Sequence, residues 1–560
     1  MKELKRYFQE LSGVNDMKRL RAGIFLILCV AGFFRLWNLG KNPPALFRDE
    51  AEKGYTAYSI VRTGGYLYFS GPPGHIELRF QRLPLFINVF GVYTSAIYQY
   101  CAAPFVMLGG LNEWTIRLPA VLAGILTVWL VYLLVLAWTG DAVAALFSAG
   151  LLAVSPWHIM FSRWALQGIL EPLLITASLL FFQYGLSRKP SYLILCGLFS
   201  GLAFYTYEVA RVFVPLLLIC LFLIHRRALL REKKWAVGCA LIFLAIALPT
   251  FIYYIAGAHS ARFARLSVFG AGRNLSESLV LFLRNYLKHY SLDFLFLHGD
   301  SELRHSLPGI GMMYLFEAPV LFYGLLLLIK EAKPYRALLL CWFFLYPLAS
   351  ALTNEGIPHA LRSIVGLPMF QVILGIAVAH LLRHVRKFLA QCAVAKNPGK
   401  HARLTLLVRG LVLLIILTVA INVIRMGRNL FHHYPYESAE NWQYGVKQAL
   451  DIAHKNGASP DRVFFSGYIT YAPYLVMAYD RIDPVKLKRE GISGLGYNFL
   501  PPNLPIEQIW SRLPEDSWLI LYPWENSGMK PDYIIPYPMP RSSSLPPSPA
   551  LEIFIKRNGG

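Results

Sequence analysis

Long apolar runs with almost no charge recur along most of this chain, and they constrain its fold more than any other feature. They lie near 22–38, 115–137, 141–160, 165–186, 191–207, 210–225, 235–256, 312–330, 336–352, 361–380 and 404–425. A helix needs about 20 mainly apolar residues to cross a bilayer, and inside the hydrocarbon every backbone N–H and C=O must be satisfied within the segment. These runs therefore predict about eleven membrane-spanning helices. Only 15% of the 560 residues are charged, against about a quarter in soluble domains.

The net charge is +22. A basic balance can signal nucleic acid, but here Lys and Arg sit in short connections between apolar runs. No basic stripe with aromatic platforms stands outside them, so nucleic acid is not an expected partner. The basic connections are the N-terminal tail, 187–191, 225–234, 330–336 and 383–409, and the positive-inside rule places them all in the cytoplasm. Segment 84–108 is apolar but dotted with Asn88, Tyr93, Tyr98, Gln99 and Tyr100. If it crossed, every later loop would change sides and the rule would fail, so it is expected to lie on the outer face as an interfacial or re-entrant segment. Loop 39–114 and the tail from 426 then face outward. No cleavage site follows the first run, which reads as a retained span.

The expected organisation is a transmembrane catalytic domain over 1–428, with interfacial helices in its first outward loop, and a small extracytoplasmic α/β domain over 429–560. In the latter, 441–454 has an amphipathic helical pattern, and 462–466, 518–522 and 551–556 read as short strands. The seven cysteines form neither a disulfide framework nor a CxxC site. His432-His433 and scattered carboxylates lack ligand spacing, so no metal ligand is assigned; no cofactor is required and a divalent cation is left open.

Charges in or beside spans are costly and usually functional. Glu171, Glu208, Arg211 and Glu317 fall toward outer helix ends, Arg163, His359 and Arg362 lie at the outer boundary, and loop 39–114 adds Arg48, Asp49, Glu50, Arg79 and Arg82. Together they suggest a polar cavity opening outward. Asp49 reads either as a helix N-cap, with Glu52 three residues on, or as a general base for an acceptor hydroxyl. Arg79 and Arg82 read either as interfacial anchors or as guanidinium forks for a phosphate.

Several of these stretches resemble a known family. Asp49-Glu50, Arg82-Leu83-Pro84-Leu85, Ile116-Arg117-Leu118-Pro119-Ala120, Ser155-Pro156-Trp157-His158 and Phe161-Ser162-Arg163-Trp164-Ala165-Leu166 are similar to motifs of the GT-C polyprenyl-phosphate-sugar transferases. These include protein O-mannosyltransferases and aminoarabinose transferases of lipid A, and the likeness is to glycosyltransferase family 39. The resemblance covers roughly the first 230 residues well, weakens toward 425 and is absent in the tail. It implies a GT-C fold in the plasma or inner membrane. It also implies inverting transfer of one hexosyl or pentosyl unit from a polyprenyl-phosphate donor to an extracytoplasmic hydroxyl of a protein, lipid or glycan.

Residue by residue, the resemblance makes Asp49 the base and Arg82 the phosphate contact; Glu50 as a further acid and Arg79, Arg163 and Arg362 as further phosphate ligands are candidates by their placement at the outer face. The family's second acid falls at Gln167 here, and Glu171 one turn later is the substitute. Glu208, Arg211, Glu317 and His359 would line the cavity. A polytopic transporter or flippase, or a non-catalytic receptor, are the competing classes. A transporter should show inverted repeats and broken helices at mid-membrane, and neither is visible. A receptor would not need acids and arginines grouped on one face.

Overall fold

The computed structural model describes residues 14–70, 77–90, 92–255, 266–270, 272–330, 333–394, 398–502, 505–539 and 547–557. The chain divides into two compact units. The first comprises Met1–Trp37, Val121–Ser162 and Gln167–Asn429; the second comprises Asn38–Ala120, Arg163–Leu166 and Leu430–Gly560.

The first unit is helical, and every apolar run of the sequence contains a helix. Among the described residues, six helices are long and apolar enough to cross a membrane: Glu113–Thr139, whose first turns belong to the second unit, Gln167–Ser187, Ala210–Arg231, Lys233–Ile255, Ile364–Gln391 and Ala402–Glu437. Ala142–Ala153 and Tyr192–Thr206 are shorter apolar helices. Some runs are interrupted. Run 141–160 forms Ala142–Ala153, then a break capped by Ser155, then Pro156–Phe161. Run 336–352 forms Pro334–Leu345 and a single turn, Leu348–Ala351.

Lipid is the solvent that fits this surface. Leu406, Leu407, Leu411, Leu413, Leu414 and Ile416 all project from one helix without protein cover. A soluble monomer rarely exposes so large a continuous apolar patch.

Helices in lipid gain little from apolar burial against one another and pack through small residues instead. Gly197 and Gly201, four apart on Tyr192–Thr206, face Lys233–Ile255: a Cβ at Gly197 would collide with the Cys239 carbonyl, and one at Gly201 with Ile246. Gly375 likewise lies against Ser148 and the Ala144 carbonyl. Arg35, fully buried near the end of helix Val14–Leu36, donates to the Ala153 and Leu152 carbonyls at 2.9 and 3.3 Å and meets His158 Nδ1 at 2.7 Å. A cation at the carboxyl end of Ala142–Ala153 satisfies carbonyls that have no intrahelical partner.

The second unit is mixed. Helix Arg48–Thr63 ends at Gly64, a left-handed cap, and leads into an antiparallel hairpin of β1 (Gly65–Ser70) and β2 (Glu77–Arg82), with Gly65 opposite Arg82. A second hairpin pairs β3 (Phe86–Val89) with β4 (Val92–Ser95), and helix Ile97–Gly109 follows. Segment 84–108 is therefore a hairpin plus a short helix rather than one continuous helix. Its 13 helical residues extend about 20 Å, short of the ~30 Å hydrocarbon core.

Toward the C-terminus, β5 (Val463–Phe465), β6 (Asn498–Phe499), β7 (Trp518–Leu521), β8 (Tyr533–Pro536) and β9 (Pro549–Ile555) form a mixed sheet in the order β6-β5-β7-β9-β8. The strands expected near 462–466, 518–522 and 551–556 are β5, β7 and β9, and the expected amphipathic helix is Val446–Lys455. Leu519, Leu521 and Phe554 of the sheet pack with Ile506 and Leu513.

The first loop is bonded to the C-terminal region within this unit. Arg48 N–H donates to Gln443 Oε1, Leu46 N–H to the Tyr479 hydroxyl, and the Tyr55 hydroxyl to the Ile482 carbonyl, each at 2.9 Å. Both segments therefore lie on the same side of the membrane.

Candidate active site

The start of helix Arg48–Thr63 is fixed from beneath by one arginine. Arg117, fully buried, forks onto Glu50: Nε reaches Oε1 and Nη2 reaches Oε2, both at 2.9 Å. Its remaining N–H groups meet the Leu39, Pro43 and Ala45 carbonyls at 2.9, 3.0 and 2.7 Å. A guanidinium has five N–H donors, and here all are satisfied. The turn preceding the helix is thus wrapped around a charged, fully hydrogen-bonded centre. Glu50 also accepts the Ala165 N–H at 2.8 Å and the Phe47 N–H at 3.2 Å.

This arrangement changes two readings of the sequence. Glu50, expected beside Asp49 as a catalytic acid, has 0% side-chain exposure and both oxygens engaged, so it positions the loop instead of exchanging protons. The helix cap is not Asp49 either. Phe47 is the N-cap residue, Asp49 is the second helical residue, and Glu50 supplies the bond back to the Phe47 N–H.

Asp49 keeps 38% of its side chain exposed, and its ion pair, with Arg48 Nε, spans 3.8 Å. The other acids of Asn38–Ala120 are committed. Glu52 is buried with Lys53, Gln99 and Thr56; burial raises its pKa against the opposing pull of Lys53. Glu77 pairs with Arg79 at 3.0 Å and Glu113 with Lys447 at 2.6 Å. Asp49 is therefore the acid of this loop whose carboxylate is least engaged.

The expected phosphate ligands of this unit divide in the same way. Arg163 is buried, donates to the Asn42 carbonyl at 2.8 Å and stacks over Phe431 at 5.4 Å, so it secures the loop. Arg79 is exposed on β2 and paired with Glu77. Arg82, at the end of β2, is exposed beside Leu83 and Leu85, which are themselves 69% and 53% exposed. A guanidinium beside exposed leucines suits a membrane surface. Arg82→Ala should weaken use of a lipid-phosphate donor more than Arg82→Lys, by about 2 kcal/mol in kcat/KM, since Lys keeps charge but loses the fork. Donor-concentration series in membranes with matched protein would read this; equal kinetics for both variants and the parent would make Arg82 an anchor alone.

In the first unit, a cavity of about 370 Å³ is lined by Glu208, Arg211, Arg362, Thr250, Thr353 and Tyr207, with Phe204, Phe251, Leu266 and Leu352 as apolar wall. Arg362 is held by Thr353 Oγ1 at 2.9 Å and Glu355 Oε2 at 3.0 Å. Arg211 Nε and Nη1 and Thr250 Oγ1 have no hydrogen-bond partner among the described residues. Glu171 is fully buried nearby, within electrostatic reach of Arg211 and of the Ala210 N–H, and no side chain among the described residues hydrogen-bonds its oxygens. Buried polar groups left unpaired are costly and mark sites built for something else.

Glu208, Arg211 and Arg362 thus line one cavity, whereas Glu317 and His359 are not on its wall. Glu317 accepts the Tyr314 N–H at 2.9 Å at the start of its own helix. His359 packs with Asp300 and His305. Sequence reasoning gave no role to Arg117, although it sits in a quoted motif, and missed Asp300 and His305. A buried arginine opening an apolar span is the signal that could have flagged Arg117.

Residues 95–253 match the family model described as dolichyl-phosphate-mannose-protein mannosyltransferase. Among solved structures, ArnT from Cupriavidus metallidurans bound to undecaprenyl phosphate is similar over 91% of this chain and 94% of its own, with a TM-score of 0.50 and 13% identity. AglB from Archaeoglobus fulgidus, an oligosaccharyltransferase in complex with an inhibitory peptide and a dolichol-phosphate, is similar over 90% of this chain and 69% of its own, with a TM-score of 0.51 and 12% identity. The chain has the GT-C fold of membrane glycosyltransferases. Within this GT-C chain, the family match spans Arg117, Arg163, Glu171, Glu208 and Arg211, while Asp49, Arg82 and Arg362 lie outside it. No curated protein matches the chain in sequence.

Proposed function

We propose that this protein is a membrane glycosyltransferase that moves one sugar from a polyprenyl-phosphate donor to an extracytoplasmic hydroxyl, with inversion. The observation that carries this reading is the cavity of the first unit. Its walls are mostly apolar, yet they include Arg211, whose Nε and Nη1 have no hydrogen-bond partner among the described residues, and Arg362, fixed by Glu355 and Thr353. Isoprenoid needs apolar walls, and phosphate needs guanidinium forks. The structural counterparts with a bound undecaprenyl phosphate and a dolichol-phosphate support the same donor chemistry.

The reaction asks little more of the protein. The acceptor oxygen forms a bond to the anomeric carbon as the bond from that carbon to the phosphate oxygen breaks. The acceptor proton passes to Asp49, and polyprenyl phosphate departs with both electrons of the broken bond. Phosphate is a fair leaving group, so no general acid is essential; cations that hold its developing charge lower the barrier. Charge parity supports an outward placement of Asn38–Ala120 and the C-terminal region in a plasma or inner membrane, where the acceptor hydroxyl of a protein, lipid or glycan would arrive.

Arg211 gives the direct test. Binding of a polyprenyl phosphate to the purified protein should weaken by about 10- to 100-fold in Arg211→Ala, the worth of one or two charge-assisted hydrogen bonds. Arg211→Lys should fall between, because it keeps charge without the fork. Parent-like binding in Arg211→Ala would remove the cavity from the donor site.

A further inference from the structure

Away from the cavity wall, the first unit brings together Asp300, His305 and His359. Their ligating atoms all lie within 4.8 Å of one another, and none of the three appears in a metal-binding spacing in the sequence. Asp300 Oδ2 stands 3.0 Å from His305 Nδ1 and 3.9 Å from His359 Nδ1. The side chains are 2%, 8% and 13% exposed. We propose that these three residues form a binding site for one Zn²⁺ ion.

Two imidazole nitrogens and one carboxylate oxygen make a ligand set that suits zinc, with a fourth position left for water. Bonds of 2.0–2.1 Å in a tetrahedron place neighbouring ligand atoms about 3.3–3.4 Å apart. The two separations from Asp300 lie either side of that spacing, and side-chain rotation that draws the two imidazoles together closes the set around an ion.

The surroundings hold the ligands in place. His305 stacks against Phe161 at 5.6 Å and sits 4.8 Å from the His359 ring. Asp300 Oδ1 accepts the Glu302 N–H at 2.9 Å, and Oδ2 accepts the Ala360 N–H at 2.8 Å. Hydrogen bonds of this kind orient ligating carboxylates. The Arg362 N–H reaches His359 Nδ1 only at 3.4 Å, a contact that an ion would outcompete. The nearby cations are matched by acids: Arg304 pairs with Glu302 and Arg362 with Glu355, each at 3.0 Å.

The ligands come from two distant segments, so an ion there would clip loop 300–305 to loop 359–362. Arg362 lies three residues beyond His359 and lines the cavity. The ion would therefore stiffen the segment that presents Arg362, outside the reaction itself.

The test uses tag-free, full-length protein in detergent, stripped with a chelator and exposed to Zn²⁺ alone. The parent should retain one equivalent after buffer exchange, and its melting temperature should rise with Zn²⁺. His305→Gln and His359→Gln keep a polar side chain, and each should retain at least tenfold less zinc and lose the thermal shift. Zinc-edge X-ray absorption of the parent should show imidazole ligands even if both variants fold poorly. A parent that holds no zinc, variants that hold a full equivalent, or an absorption spectrum without imidazole would each overturn the site.

Discussion

Glu50→Gln is expected to destabilise the protein by about 3–5 kcal/mol, because it leaves the Arg117 guanidinium buried without its counter-charge. The substitution is nearly isosteric, so packing alone would make it mild. The amide group, however, must place an N–H₂ where a carboxylate now meets N–H donors from Arg117, Ala165 and Phe47. At least one pair of donors then faces each other in a site that water does not reach. Removing the other partner with Arg117→Met should be as severe, since it strands Glu50 and frees the Leu39, Pro43 and Ala45 carbonyls. Thermal unfolding in detergent, read alongside the yield of monodisperse protein, measures this. A Glu50→Gln protein that melts with the parent and transfers sugar normally would mean that the pair does not hold the loop.

This pair also shows how far the sequence can be read. Each apolar run holds a helix, because the need to satisfy backbone groups in lipid leaves few alternatives, whereas the amphipathic helix Leu275–Lys288 lies between runs and carries no such signal. Where those runs break, as at Ser155-Pro156, hydropathy is blind and the cap chemistry decides. Segment 84–108 mixes apolar residues with Asn88, Tyr93, Thr94 and Ser95, and hydropathy averaged over it does not separate β3 and β4 from helix Ile97–Gly109.

The site was legible by residue type more than by role. Asp49 and Glu50 are adjacent acids, and nothing local says that one faces solvent while the other meets an arginine 67 positions later. Arg163 and Arg211 are both arginines beside apolar runs, yet one is tied to the Asn42 carbonyl while Nε and Nη1 of the other meet no hydrogen-bond partner among the described residues. Asp300, His305 and His359 are invisible because 54 residues separate the two histidines, and only the fold closes that distance. Long-range partners decide each of these roles, and spacing along the chain does not encode them.

Asp49→Asn is the variant with the largest expected effect on activity. Asp49 is not the helix cap, so its loss should cost the fold little. The missing negative charge in the first helical turn is worth about 0.3–1 kcal/mol at an exposed position. Asparagine keeps the size and a carbonyl oxygen but takes no proton at neutral pH. If Asp49 is the base, transfer should fall by roughly 100-fold or more, as general-base removal does. Asp49→Glu, which moves the carboxylate by one methylene, should retain more activity than Asp49→Asn. Glu171 is the acid that would take over as candidate if Asp49 were cleared, and Glu171→Gln belongs in the same series.

The decisive measurement is transfer of a labelled sugar from a polyprenyl-phosphate donor in membranes holding matched amounts of parent and Asp49→Asn protein, with donor binding measured on the same samples. Donor binding should stay within about twofold of the parent, and transfer should fall at least 100-fold. Full transfer by the Asp49→Asn protein would contradict a role for Asp49 as the base.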